Sequence, residues 1–244
     1  LPVLEESLLG NVRSKVAFLD GLIESLDQVV EAGLETWLIA PAQRIMGVNW
    51  VSPHLVRGFH DPHARPVFVD IDPDYYTIQP EQIDTSITSK TRAIIPVHLY
   101  GQMVNMPRLR AWADRMGLAI VEDAAHALPA RYKGRWIGSG ENLAAFSFYA
   151  IKNLTTAEGG MITTDDDDLA ERMRLLSLHG ISKDAWKRYT SEGSWYYEVI
   201  YPGFKCNMTD IQAALGIHQL EKVDRFRKRR EELATAYSRD LADD

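Results

Sequence analysis

The sequence predicts an α/β fold: a mostly parallel sheet with helices on both faces. Three observations carry that prediction. TRAIIPVHLYG and LAIVED are near-continuous apolar runs, the composition of strands covered on both faces. MPRLRAWADRMG, between them, is punctuated as a helix, with Pro107 near its start and Gly117 as its stop. The alternation of strand and helix starts near Arg65 and continues along the chain.

In chain order, RPVFVDID reads as a short strand ending in the turn DPDYY, and PEQIDTSI as a short helix opened by Pro80. The buried strand TRAIIPVHLYG, the helix just described and the strand LAIVED follow. NLAAFSFYA and GGMITTD are two further strands. DDDDLAERMRLLSLHG is a helix with acids at its positive N-terminal end. NMTDIQAALGIHQLEKVDRFRKRREELATAYSRDL reads as one long amphipathic helix, opened by a capping box from Thr209 to Gln212. Residues 1–64 are less regular. There AFLDGLIESLDQVVEAGLETW reads as a helix and WLIAPAQ as a strand and turn.

Composition excludes several function classes. The chain has 244 residues, 45% apolar and 25% charged, as soluble globular proteins do. A formal charge of −7 gives no general attraction to nucleic acid or to an anionic membrane. The run RFRKRR has acids on either side and reads as a solvated helix face. Cys206 is the single cysteine, which favours a reducing, cytoplasmic setting. No apolar run approaches the length of a membrane span. His54, His60 and His63 lack metal-ligand spacing, so no metal site is expected.

In parallel sheets ligands bind beyond the C-terminal ends of the strands, here after LAIVED and after FSFY. Lys152 follows the apolar FSFYAI and precedes the polar turn NLTTAEGG. A lysine in apolar surroundings loses its proton more readily, and the neutral amine can attack a carbonyl. Asp123 ends LAIVED and reads either as a turn carboxylate or as the partner of a cationic ligand atom. Glu122 points to the opposite face and is the weaker candidate. Ser147, between two phenylalanines, can bond backbone or phosphate. Lys152, Asp123 and Ser147 together suggest an aldehyde cofactor with a cationic ring nitrogen and a phosphate, as pyridoxal 5′-phosphate (PLP) has.

The segments RPVFVDID, AIIPVHLYGQ, IVEDAAHA, YKGRWIGSGENLAAFSFYAIKNLTTAEGGMITTDD, RLLSLHGI and KCNMTDIQAALGIHQL resemble the DegT/StrS type of nucleotide-sugar aminotransferase. That family has the aspartate-aminotransferase fold type of PLP enzymes. The resemblance implies that residues 65–240 are the PLP-binding large domain, that residues 1–64 are a divergent segment, and that the small C-terminal domain is absent. It implies that Lys152 forms the imine with PLP and moves the proton, and that Asp123 pairs with the ring nitrogen. His126 would stand near the ring oxygen, and Ser147 would bind the phosphate. Asn207 would reach the phosphate of a neighbouring subunit, so a homodimer is expected. His98 and His179 either line the site or are structural, while Tyr149 and Trp195 read as packing.

The implied reaction passes an amino group from an amino-acid donor, glutamate, to a keto group on a nucleotide-linked deoxysugar. The phosphate-cradling turn and ring-stacking aromatic of the family's N-terminal third have no counterpart in residues 1–64. The alternative is therefore a truncated or degenerate, non-catalytic PLP-binding relative. On either reading, weak or absent turnover is expected of this chain.

Overall fold

The computed structural model describes strand 36–39 and residues 65–140, 142–181 and 198–242. Six strands form one sheet: β1 (Thr36–Ile39), β2 (Arg65–Phe68), β3 (Ala93–Ile95), β4 (Ala119–Asp123), β7 (Leu143–Ser147) and β8 (Gly160–Thr163). β5 (Arg131–Tyr132) and β6 (Arg135–Trp136) make a separate two-stranded ribbon. The sheet order is β2-β1-β3-β4-β7-β8, with every neighbouring pair parallel except β7–β8. The mostly parallel sheet read from the sequence is present, and an antiparallel strand closes one edge.

Several elements are shorter than their apolar runs. β3 stops at Ile95 because Pro96 has no N–H to continue a ladder. The chain stays extended through an isolated bridge from Val97 to Asp123, then tightens into a 3-10 turn at Leu99–Gly101. β2 gives way to a turn in which Asp72 Oδ1 accepts the N–H groups of Asp74 and Tyr75. Helix α1 (Pro80–Ile83) keeps a single turn of the PEQIDTSI segment.

α2 (Met106–Met116) has the punctuation its sequence promised. Asn105 accepts the Arg108 N–H at its start, and Gly117 takes a left-handed φ of 65° at its end. Leu109, Trp112 and Ala113 form its buried stripe and share a cluster with Ile94 and Ile120 of the sheet. α3 (Asp167–Leu176) is capped by Asp166, with two more aspartates in its first turn.

The long helix expected from Asn207 to Leu241 is two helices, α4 (Asp210–Leu220) and α5 (Val223–Asp240). The Thr209–Gln212 capping box opens α4 as read. At the break, Lys222 N–H donates to Gln219 O, a tighter bond than the α-helical one. Leu220 and Val223, on either side, are both buried in one cluster with Phe146, Phe148 and Met161. Neither glycine nor proline marks the break, and both flanking side chains stay on the buried face, as residues three apart on a helix do. The basic run lies on α5 as an exposed face with Arg227–Glu231 and Arg229–Glu232 pairs. Trp195, His54, His60, His63 and the helix expected at residues 17–37 lie outside the described residues, except for the start of β1.

Candidate active site

β4 and β7 run parallel with Asp123 opposite Ala145 and Glu122 opposite Ala144. Successive side chains leave a strand on alternate faces. Asp123 therefore shares a face with Ala145 and with Ser147, two residues further along. Glu122 shares the other face with Ala144. Asp123 and Ser147 stand at the C-terminal ends of their strands, where parallel sheets bind ligands. Asp123 is half-buried, and its Oδ1 accepts the Ala125 N–H at 3.0 Å. That bond fixes the carboxylate and starts the turn that carries His126.

Lys152 lies on the connection from Ser147 to β8, and that connection is tied down along its length. Tyr149 N–H donates to Ser147 Oγ at 3.3 Å, and Lys152 N–H donates to Tyr149 O at 2.9 Å. Asn153 Nδ2 donates to Leu128 O at 2.7 Å, and Leu154 is buried. Phe148 exchanges bonds with the far end, donating to Gly159 O and accepting from Thr156 N–H. At Gly159 φ is 155°, and an added Cβ would meet Met208 Cε and Thr156 Oγ1 at 2.5 Å each. Glycine is required there, and the Asn207–Met208 segment packs against the base of the lysine loop through it.

Burial pushes the Lys152 amine below the ordinary lysine range, and the Asp123 charge partly opposes it. Burial also lowers His126, helped by the Lys152 charge and opposed by Asp123. These mutual influences gather Lys152, Asp123 and His126 around one space. Ser147 adjoins them by strand register. Asn207 has no described bond to the other four. Its Oδ1 accepts from Lys205 Nζ, and its Nδ2 donates to Met208 O at 3.4 Å.

One feature escaped the sequence reading, and for His98 the structural alternative is the one found. Tyr100 stacks on His126, with ring centroids 5.1 Å apart and planes 4° from parallel. Its φ of 50° is left-handed, and it is 75% exposed. His98 does not line the site: it is fully buried and bonds Glu122 at 2.9 Å on the opposite face of the sheet. A histidine just after a strand-ending proline was the available signal. His179 is exposed and left-handed, with φ 58°, and its N–H donates to Phe204 O. Tyr149 is not a packing residue in the chain, being 45% exposed. No group of three or more metal-ligating side chains occurs among the described residues.

An amine of lowered basicity, a carboxylate and a hydroxyl at one end of a parallel sheet form a donor set that fits PLP: an aldehyde, a ring nitrogen and a phosphate. The model of the DegT/DnrJ/EryC1/StrS aminotransferase family matches residues 60–244, and the chain belongs to that family. The spore coat polysaccharide biosynthesis protein SpsC of Bacillus subtilis is 55% identical over 174 residues, 71% of this chain and 45% of SpsC. Spr1654 of Streptococcus pneumoniae, solved in its PLP form, is 30% identical with a TM-score of 0.78, over 100% of this chain and 65% of that one. DesI, solved in the presence of its TDP-sugar product, is 32% identical with a TM-score of 0.75, over 100% of this chain and 58% of that one. The chain spans less than half the length of the curated relatives it matches.

Proposed function

We propose that the protein is a PLP-dependent aminotransferase that moves an amino group from glutamate to a keto group on a nucleotide-linked deoxysugar. The observation that carries the reading is the placement of Asp123 and Ser147 on one face at the C-terminal ends of adjacent parallel strands, with Lys152 on the loop that follows Ser147 and its basicity lowered by burial. Family membership supports the reaction class, and the TDP-sugar product of DesI supports the acceptor. The alternative of a truncated or degenerate, non-catalytic relative is not favoured by these likenesses.

When bound, PLP supplies an electron-accepting ring that carries the amino group between the two substrates. Lys152 would hold the cofactor's aldehyde carbon through Nζ and would take and return the substrate proton. Its lowered basicity leaves more of the amine neutral, and hence nucleophilic, near neutral pH. Asp123 would keep a proton on the ring nitrogen, His126 would stand beside the ring oxygen, and Ser147 would donate to the phosphate. We assign these roles to the domain spanning residues 65–240, in a cytoplasmic protein.

The working unit in this proposal is a homodimer, with Asn207 reaching the partner's phosphate. Ile151 beside Lys152 is 81% exposed and Ile211 after Asn207 is 78% exposed, apolar surface that a second copy would cover.

Borohydride reduction of the PLP-loaded protein tests the assignment. A stable adduct is expected on the peptide containing Lys152, and Lys152→Ala is expected to abolish it. An adduct of parental yield in that variant rejects Lys152. Amine transfer from glutamate to a panel of nucleotide keto-sugars then tests the substrates.

A further inference from the structure

We propose that His98, Glu122 and Asn142 form a buried positioning network that fixes the Asp123 carboxylate and the His126 ring from the opposite face of the sheet. The inference rests on the assignment of Asp123 to the cofactor's ring nitrogen.

The strand pleat separates the two acids. Glu122 leaves β4 on the face of Ala144, and Asp123 leaves it on the face of Ala145. Glu122 is 7% exposed, so its carboxylate must be bonded. Both oxygens are: Oε2 lies 2.9 Å from His98 Nε2, and Oε1 accepts from Asn142 Nδ2 at 2.6 Å. The Val104 N–H donates to His98 Nδ1 at 3.2 Å, so Nδ1 is the acceptor and Nε2 carries the hydrogen toward Glu122.

The backbone completes the clamp. His98 N–H donates to Asp123 O at 3.0 Å, and Asp123 N–H donates to Pro96 O at 2.9 Å. The main chain of Asp123 is held through both its N–H and its C=O by the Pro96–His98 segment, and the residue before it is anchored by the His98 ring. His98 O accepts from Gly101 N–H, closing the turn whose Tyr100 lies flat on His126. One buried histidine thus supports both groups that face the cofactor. Ile94, Ile120 and Ala144 on the same face are apolar, and the polar trio interrupts them at the level of Asp123. Asn142 Oδ1 has no hydrogen-bond partner among the described residues, but the two bonds to Glu122 restrict its carboxylate more than an apolar contact would.

Glu122→Gln keeps the shape of the side chain but places an amide where two donors converge. Asn142→Ala removes one donor from a half-buried position. In the PLP-loaded full chain, each is expected to move the pH midpoint of the bound cofactor's visible absorption by about half a pH unit, roughly a threefold change in proton affinity. The same substitutions in an Asp123→Asn background are expected to leave the midpoint where Asp123→Asn alone puts it, because no carboxylate remains to be positioned. Equal shifts in both backgrounds, or none in either, overturn the proposal. If Glu122→Gln does not fold, Asn142→Ala carries the comparison. If Asp123→Asn does not hold PLP, the His126 ring titration followed by NMR in the cofactor-free chain replaces the absorption, with the same two outcomes. The effect of Asp123→Asn alone separates the two failures. A midpoint that Asp123→Asn moves, with uncoupled Glu122→Gln and Asn142→Ala, rejects the network alone, whereas a midpoint that Asp123→Asn leaves in place rejects the assignment beneath it.

Discussion

His126 is the residue at which the surroundings can be read most directly as a pH dependence. Burial and the Lys152 charge hold its folded pKa below that of an unfolded histidine, about 6.5. Between the two values the unfolded chain binds the proton and the folded chain does not. Stability contributed at higher pH is therefore lost as pH falls through that window, and the loss levels off below the folded pKa. His126→Gln keeps a polar side chain without the titration. Thermal midpoints of the cofactor-free protein, measured from about pH 7 to about pH 5, are expected to fall less steeply in the variant than in the parent. An unchanged slope would show that another group sets it.

The elements show which parts of the molecule could be read from residue types. α2 was legible because Pro107, Gly117 and its buried stripe obey local rules, and α3 because its aspartates sit where the helix dipole wants them. β5 and β6 were not, since two-residue strands carry no period. The α4–α5 break was hidden because no glycine or proline marks it and the apolar stripe runs through it from Leu220 to Val223. Alternation along LAIVED placed Glu122 on the face opposite Asp123, as the strand register has it. Its partner His98, 24 positions earlier, could not be inferred from spacing. At the glycine pair after NLTTAE, the sequence announced a turn but not the crowding over it. Gly159→Ala is expected to destabilise the protein by about 1–3 kcal/mol, because Met208 and Thr156 must move. It should also weaken PLP binding, since the lysine loop closes on Gly159 O. Chemical denaturation and a PLP titration measure the two effects, and a neutral substitution would contradict the packing described.

At the scale of the whole molecule, the candidate cofactor groups have different reach. Asp123, His126, Ser147 and Lys152 are gathered by adjacent strands of one chain, whereas Asn207 has no bond to them among the described residues. If a second copy receives Asn207, sedimentation of the PLP-loaded protein should give a dimer, and Asn207→Ala should weaken PLP at least several-fold. A loaded monomer of undiminished affinity would reject the shared site.

The antiparallel pairing of β7 with β8 also bears on the order in which the molecule assembles. The Asp123 amide must find Pro96, 27 positions earlier, while the partners in β7 and β8 are 13 to 19 positions apart and are joined by the lysine loop itself. Contacts close in sequence lose less chain entropy on closing, and they form sooner. The segment bearing Lys152 can thus acquire its shape before the strand bearing Asp123 docks beside it. In pulse-labelled hydrogen exchange during refolding, the ladder amides of β7 and β8 are expected to become protected before that of Asp123, which waits for Pro96. The amine would then be set in a local hairpin, and its electrostatic environment would arrive last.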